Sequence, residues 1–444
     1  MNHYQPFWLK YLAISGLSLA VIIASLDTAI TNTALPYIGK ELNSSFVQSI
    51  WVINSYQLVM AALMLPLTVL SDRIGYKKVF LSGLCIFIVA SFLCGYAHSI
   101  HELIFARALQ GLGAASILGT NIALVRLLYT PKELGFGLGI NAFIIALGLA
   151  GGPVTASIIL SKMSWHWLFL VNIPIGICAL IFSLFLPNHK NNVNTPFNYV
   201  SAIFTIIMFS CIIYALGEYA VTISLSWVLL FLFIGIISAI FLFIRDSKHN
   251  QPIFPFDLFQ NSIFSLSIFT GFSAFVTQGL MFIALPYILF KYGLSALYIG
   301  FLIAPWPIMG AVVAPLAGLL TNHFSAAHLG NIGLLLLGSS IAVLASFNGE
   351  LPIWAFVIIM MMCGLGFGLF LTPNQRLLLS SAPLARSGVA GGMLNVARIS
   401  GQALGATLVA FSLHLSNSPI ASMLWIGAMF AFIATLSSIF RSIR

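Results

Sequence analysis

From residue 11 to residue 440 the chain alternates between apolar runs of span length and short polar breaks. A run of about 20 apolar residues crosses the hydrocarbon core of a bilayer as a helix. Lipid offers no partner to backbone N–H and C=O groups, so such runs must satisfy them internally. The runs read as spans at 11–36, 48–71, 78–97, 102–125, 134–160, 166–186, 197–217, 225–245, 262–290, 296–320, 328–347, 352–372, 384–412 and 420–440. That makes about fourteen helices, the seventh with the softest edge, because Glu218 sits there. Only 6% of the 444 residues are charged, against about 25% in a soluble domain. Water-soluble classes are therefore excluded, and the fold class is an all-α polytopic membrane protein.

The few charges carry topology. With the N-terminus inside, the inner segments hold Lys10, Arg73, Lys77, Lys78, Arg126, Lys132, Lys190, Arg245, Lys248, Arg376, Arg386, Arg441 and Arg444. The outer loops hold only Lys40, Lys162 and Lys291. This asymmetry places both termini in the cytoplasm and supports an even number of spans. It also accounts for the net charge of +9 without any need for nucleic acid. The five cysteines fall in apolar segments and read as packing residues. The N-terminus runs straight into a full-length span, so no cleavable signal peptide is expected.

Against this background one side chain stands out. The stretch SLDTAITNTALPY places Asp27 midway along the first span. A carboxylate there costs about 2.5–3.5 kcal/mol on insertion scales, and intramembrane acids are by default functional. Ala20, Ala24, Thr31 and Ala34 share its helical face, a small surface suited to packing or to lining a cavity. Asp27 reads either as a proton or cation site or as a buried acid paired for assembly.

Arg107 lies several residues inside the fourth span, in LIFARALQGLGAAS. Five fixed donors in a membrane want an acceptor, and a guanidinium beside Asp27 would make a proton-coupling pair. An Arg that snorkels to the interface is the other reading. Gly111 and Gly113 allow close helix approach. In the fifth span Gly148 and Gly152 share a face and Pro153 is expected to bend the helix. The glycine-rich thirteenth span carries Asn395 and Arg398, candidates for a second-half cavity. Trp165 and Trp167 fit an interfacial aromatic belt, and Asn172, Pro174 and Gly176 interrupt the sixth span.

The loop LSDRIGYKK joins the second and third spans, with Gly75 for its turn. A shorter match, GLLTNH, follows the tenth span. The two sit at corresponding places if the seventh and eighth spans are an insert between parallel six-helix halves. The connection from Arg245, RDSKHNQPIFPFDLFQN, reads as an amphipathic surface piece or a plain linker. There is no phosphate loop with a lysine, no metal-spaced His/Cys cluster and no nucleophile–base pair. The chain is accordingly not expected to be an enzyme, to bind a metal or to need a cofactor.

These motifs resemble those of the major facilitator superfamily, and within it the fourteen-span drug:proton antiporters that include quaternary ammonium and methyl viologen exporters. LDTAITNTALP is similar to that family's first-span motif, with Asp27 on its acid. LSDRIGYKK is similar to its loop motif at Asp72, Arg73, Gly75, Lys77 and Lys78. RALQGLGAA resembles the fourth-span motif at Arg107, Gln110 and Gly111, GGP the antiporter motif, and WHWLFLVNIPIG the sixth-span signature. Thr68 and Tyr76 depart from the loop motif, and Ala156 and Ser157 replace a glycine pair after GP.

The resemblance implies two six-helix bundles, 1–190 and 251–444, with a two-helix insert at 191–250. It implies proton coupling at Asp27 and Arg107, a cytoplasmic latch at the loop motif where composition alone allows a topogenic basic loop, and an antiporter kink at Gly148, Gly152 and Pro153. The expected function is proton-driven efflux of lipophilic cations from the cytoplasmic membrane of a bacterium, with Asp27 alternating between proton and substrate. An exporter of an endogenous amphiphile or siderophore and a non-transporting membrane sensor are the alternatives. The expected partners are the lipid bilayer, protons and a small-molecule substrate; a periplasmic adaptor and outer-membrane channel are left open.

Overall fold

The computed structural model describes residues 7–130, 133–188, 197–222, 225–246, 252–321, 323–348, 351–383, 386–416 and 418–443. Lys132, Lys190, Lys248 and Arg444 of the orienting charges, and Asn322 of the short repeat, lie outside these residues. Among the described residues sixteen helical pieces make fourteen passes. The first five are α1 (Phe7–Glu41), α2 (Phe46–Ile74), α3 (Tyr76–Gly95), α4 (Ile100–Leu128) and α5 (Leu134–Lys162). The sixth pass is split into α6 (Trp167–Leu170) and α7 (Asn172–Ser183). Then come α8 (Tyr199–Thr222), α9 (Leu225–Asp246) and α10 (Ser262–Lys291). The tenth pass is α11 (Ala296–Ile303) with α12 (Pro305–Leu320), followed by α13 (Ala326–Ser346), α14 (Ile353–Ser380), α15 (Ser387–Leu415) and α16 (Pro419–Ile443).

Proline explains both splits. Pro174 has no N–H for the carbonyl of Leu170, and its ring crowds that group, so the helix opens at Val171. Pro305 occupies the first position of α12, where a missing donor is tolerated. Elsewhere the expected fourteen spans appear with their ends moved by a few residues. The sixth is the one pass too short to count by length as a span. By contrast α5 runs unbroken through Pro153.

Fourteen passes return the chain to the side where it began; this is called the termini side below, and the opposite one the far side. α1 packs on α5 and α7, and α2, α3 and α4 pack together. α10 packs on α15 and α16, while α13 and α14 pair and each also contacts a further helix of the second set. α8 pairs with α9 and lies across both α2 and α15, covering a seam between the first six and last six passes. α9 turns Phe233, Ile236, Ile237 and Ile240 outward, an apolar face that suits lipid. The connection after α9 holds one 3-10 turn, and Asp246 accepts backbone N–H groups of Ile253 and Phe254 and the Ser201 hydroxyl.

Ring contacts join the halves on the far side, Tyr37 with Phe290 at 4.9 Å and Phe46 with Tyr287 at 4.3 Å. Along α2 and α15 the Asn54 amide donates to the Thr407 hydroxyl at 3.3 Å. Nearer the termini side, a Cβ on Gly392 would lie 3.4 Å from Leu65. Trp165 departs from the expected interfacial belt: it is buried, stacked on His166 at 3.9 Å and edge-on to Phe169. Trp167 is exposed.

Candidate functional site

Asp27 sits in the middle of the first six passes with 1% of its surface exposed. Two helices bring three donors to it. The Arg107 guanidinium from α4 donates to Oδ2. Gln110, one turn on in α4, donates to Oδ1 at 2.9 Å, and Asn172 at the head of α7 donates to the same oxygen at 2.8 Å. The Gln110 amide also donates to Ser91 of α3 at 3.0 Å, and its carbonyl accepts from Arg107. Arg107 donates its Nε–H to the Val52 carbonyl of α2 at 3.2 Å and lies 4.2 Å from the Tyr56 ring centroid. Five helices thus close on one ion pair.

Small residues make this closeness possible. A Cβ on Gly111 would come within 2.5 Å of the Tyr56 carbonyl, and one on Gly113 within 2.7 Å of the Gly83 carbonyl, so α4 lies tightly against α2 and α3. On the other side α5 grips α1 above and below the acid. A Cβ on Gly148 would lie 2.8 Å from that of Ser25, and one on Gly152 only 2.2 Å from that of Ala29. The split in the sixth pass frees Asn172 to point inward. The Ala156–Ser157 departure is met from the other half: Gly300 on α11 leaves the space that Ser157 needs.

Removing two charges from water costs several kcal/mol per ion, and direct hydrogen bonds offset this only when the geometry is good. Here both Asp27 oxygens are bonded and the guanidinium is also stacked. Arg107 does not snorkel. Among the described residues every side-chain hydrogen-bond partner of the Asp27 carboxylate lies in α4 or α7, and both oxygens are taken. A cation would have to displace Arg107 and the two amides.

The loop residues form their own cluster on the termini side. Gly75 has φ of +103°, a conformation that side-chain-bearing residues rarely adopt. The Tyr76 hydroxyl donates to Asp72, so the tyrosine that departs from the motif supplies the acid with a partner. Arg73 donates to the Val69 carbonyl at 2.9 Å and lies over the Phe197 ring, and Lys77 donates to the Leu184 carbonyl just past the end of α7. Lys78 is exposed. These described bonds tie the loop to the first six passes and to the connection that follows them.

In the second half, Asn395 and Arg398 lie one turn apart on α15, both half-buried. Arg398 is within electrostatic reach of Tyr56. Further along the same helix the Gln402 amide donates to Gln278 of α10 at 3.1 Å. A different cation has the partners that Arg398 lacks. Arg441 at the termini end of α16 donates to Ser267 at 2.9 Å, to Ser438 at 3.0 Å and to Asn374.

Sequence reasoning missed Tyr56, Ser91, Asn172 and the Arg441 cluster. Asn172 had a local signal, a polar residue beside a helix break. Tyr56 and Ser91 had none, since each is an ordinary residue in an apolar helix.

The family model described as Major Facilitator Superfamily matches residues 17–200 and 197–406. An uncharacterized transporter of Escherichia coli, YebQ, is 39% identical over 92% of this chain and 90% of its own length. The methyl viologen resistance protein SmvA of Salmonella typhimurium is 27% identical over 93% of this chain and 84% of its own. A solved structure of a POT family transporter, in complex with a thioalcohol-conjugated peptide, has a TM-score of 0.73 at 16% identity, covering 99% of this chain and 97% of that one. That structural likeness concerns the fold.

Proposed function

The chain belongs to the Major Facilitator Superfamily and is a multi-pass membrane transporter, and from that premise we propose that it exports amphiphilic small molecules in exchange for protons. The membrane is the cytoplasmic membrane of a bacterium and both termini face the cytoplasm, as the distribution of Lys and Arg supports. The observation that carries the reading is the buried pair of Asp27 and Arg107, clamped between α5 on one side and α2 on the other.

The pair works as a switch because its two protonation states differ so much in cost. With Asp27 ionised, attraction and three donors hold the centre shut. With Asp27 neutral, Arg107 is a buried cation without its counter-charge, a state costly in a low dielectric. Its remaining ties run to Val52 and the Tyr56 ring on α2, to the Gln110 carbonyl on its own helix and to the Phe169 ring at 5.6 Å, so α2 carries the only backbone hydrogen bond among them. Protonation therefore shifts the load onto α2, the helix that touches α15 across the seam. Asp27 is the proton site in this scheme, and substrate binds on the other side of α2, so the two are coupled through a helix rather than by competition for one carboxylate. The loop cluster at Asp72, Arg73, Gly75, Lys77 and Lys78 holds the termini side in one of the two states.

The test is substrate-induced collapse of a pH gradient in everted vesicles. The wild type should release protons on substrate addition. Asp27→Asn should insert and fold, retain substrate binding and move no protons. Full proton-linked flux in that variant would remove Asp27 from the mechanism.

A further inference from the structure

The interior of the two halves differs in charge. In the first half Asp27 and Arg107 cancel. In the second half Arg398 has no hydrogen-bond or ion-pair partner among the described residues, and neither has Asn395 one turn before it. Both keep part of their surface open although they lie well inside a pass. A guanidinium within a membrane calls for an acceptor, and none is bonded to it among the described residues.

The place of Arg398 in the seam says what kind of acceptor fits. α2 and α15 run antiparallel and approach each other at Asn54–Thr407 and at Leu65–Gly392. Arg398 lies between these points, six residues after Gly392 and nine before Thr407. At 1.5 Å per residue it is roughly 9 Å from one pinch and roughly 13 Å from the other. Tyr56, whose ring carries Arg107 on one side, lies within its electrostatic reach. Gln402, one turn further on, turns its amide N–H toward Gln278.

We propose that this part of the seam is an anion-binding subsite, with Arg398 as the fixed charge and Asn395 as a neutral donor, and that the exported molecule carries an acidic group that lands there. A carboxylate matches the fork of a guanidinium bidentately, and a sulfonate or phosphate monoester would use the same donors. This deepens the exporter reading and rests on it for the transport step, while the binding claim stands by itself. It reverses the charge class that the acid in the first span suggests. With Asp27 neutralised by Arg107, the uncompensated charge at this depth among the described residues is positive. The proposal also changes the charge moved per cycle. One proton inward against one monoanion outward moves two positive charges inward, whereas exchange for a monocation moves none.

The test uses three probes with one apolar body: 1-pyrenebutyrate, 1-pyrenebutanol and 4-(1-pyrenyl)butyl-trimethylammonium. Binding to the full-length protein is read by fluorescence anisotropy in phosphatidylcholine nanodiscs in gluconate buffer. The carboxylate should bind at least tenfold tighter than the alcohol and the ammonium. Arg398→Gln should bring the carboxylate down to the level of the alcohol, and Arg398→Lys should keep part of the difference. Thermal unfolding of both variants shows that they are folded. Tightest binding of the ammonium, or a carboxylate preference that survives Arg398→Gln, overturns the subsite. Loss of the preference on adding phosphatidylglycerol or chloride also overturns it, by assigning the site to a lipid headgroup or an inorganic anion. Proton flux measured separately in proteoliposomes keeps the two readings apart. Flux with a neutral or cationic substrate but no Arg398 effect leaves the exporter and removes the subsite. A carboxylate preference without any proton flux leaves the subsite and removes the exporter.

Discussion

The two halves of this transporter hold intramembrane arginines in opposite ways. Arg107 has an ionised partner, a backbone carbonyl, an amide oxygen and an aromatic face. Among the described residues Arg398 has none of these beyond the reach of Tyr56. The difference is instructive because both lie in glycine-rich passes and look alike in the sequence. A cation whose partners are all internal stabilises one arrangement of helices and responds when a partner is neutralised. A cation left open in the seam selects what enters from outside. Arg441 shows that the second half can satisfy an arginine where it needs to, with two serines and an asparagine.

The sharpest way to break this contrast is to remove one member of the closed pair. Asp27→Leu leaves Arg107 buried and unpaired, and should cost about 3–5 kcal/mol, read as a large drop in unfolding temperature and full loss of proton-linked flux. Adding Arg107→Met should recover most of the stability and none of the flux. Recovery of transport in the double variant would show that the pair is only structural. Arg398→Gln should leave the unfolding temperature unchanged or slightly raised, since it removes a charge without stranding a partner.

Gly152→Ala tests whether α5 sets the position of Asp27. Its Cβ would overlap that of Ala29, and overpacking of this kind costs about 1–3 kcal/mol. Transport should fall with stability, whereas Gly139→Ala, with nothing within 4 Å, should change neither. Asn54→Leu should have a smaller effect. It removes one hydrogen bond across the seam, worth about 0.5–1.5 kcal/mol, and should alter the rate of exchange between states more than substrate affinity.

The smallest effect belongs to the exposed pair of Lys10 and Glu133, 3.2 Å apart. The Lys10 ammonium, with help from Thr130, holds the Glu133 carboxyl below its usual value. A depressed carboxylate contributes its stability above the unfolded value and loses it as pH falls through the folded one. The gap between the wild type and Glu133→Gln in an unfolding scan should therefore narrow as pH is lowered through the acid range. At pH 7 any difference should be small and vanish in high salt.

Much of this molecule is legible one helix at a time. Hydropathy located fourteen passes, and the low tolerance of lipid for charge marked Asp27 and Arg107 as a pair in need of each other. Gly148 and Gly152 announced a close contact, though not with which helix. What stayed hidden depends on pairs far apart in the chain. Asn172 is 145 residues from the acid it serves. Ser157 looked like a damaged motif until Gly300 was seen to vacate its space. Tyr76 looked like a departure from the loop motif until its hydroxyl was found on Asp72. Trp165 carried the belt signature and was instead buried by its neighbours.

The number of crossings, the way they alternate and the presence of an ionisable centre in the bilayer were settled by the order of residues alone, because transfer into lipid is a local property of each segment. Which charges are spent inside a bundle and which remain open to a ligand was settled only when the helices packed. Charge compensation depends on where side chains from separate helices meet, and no window of sequence contains both partners.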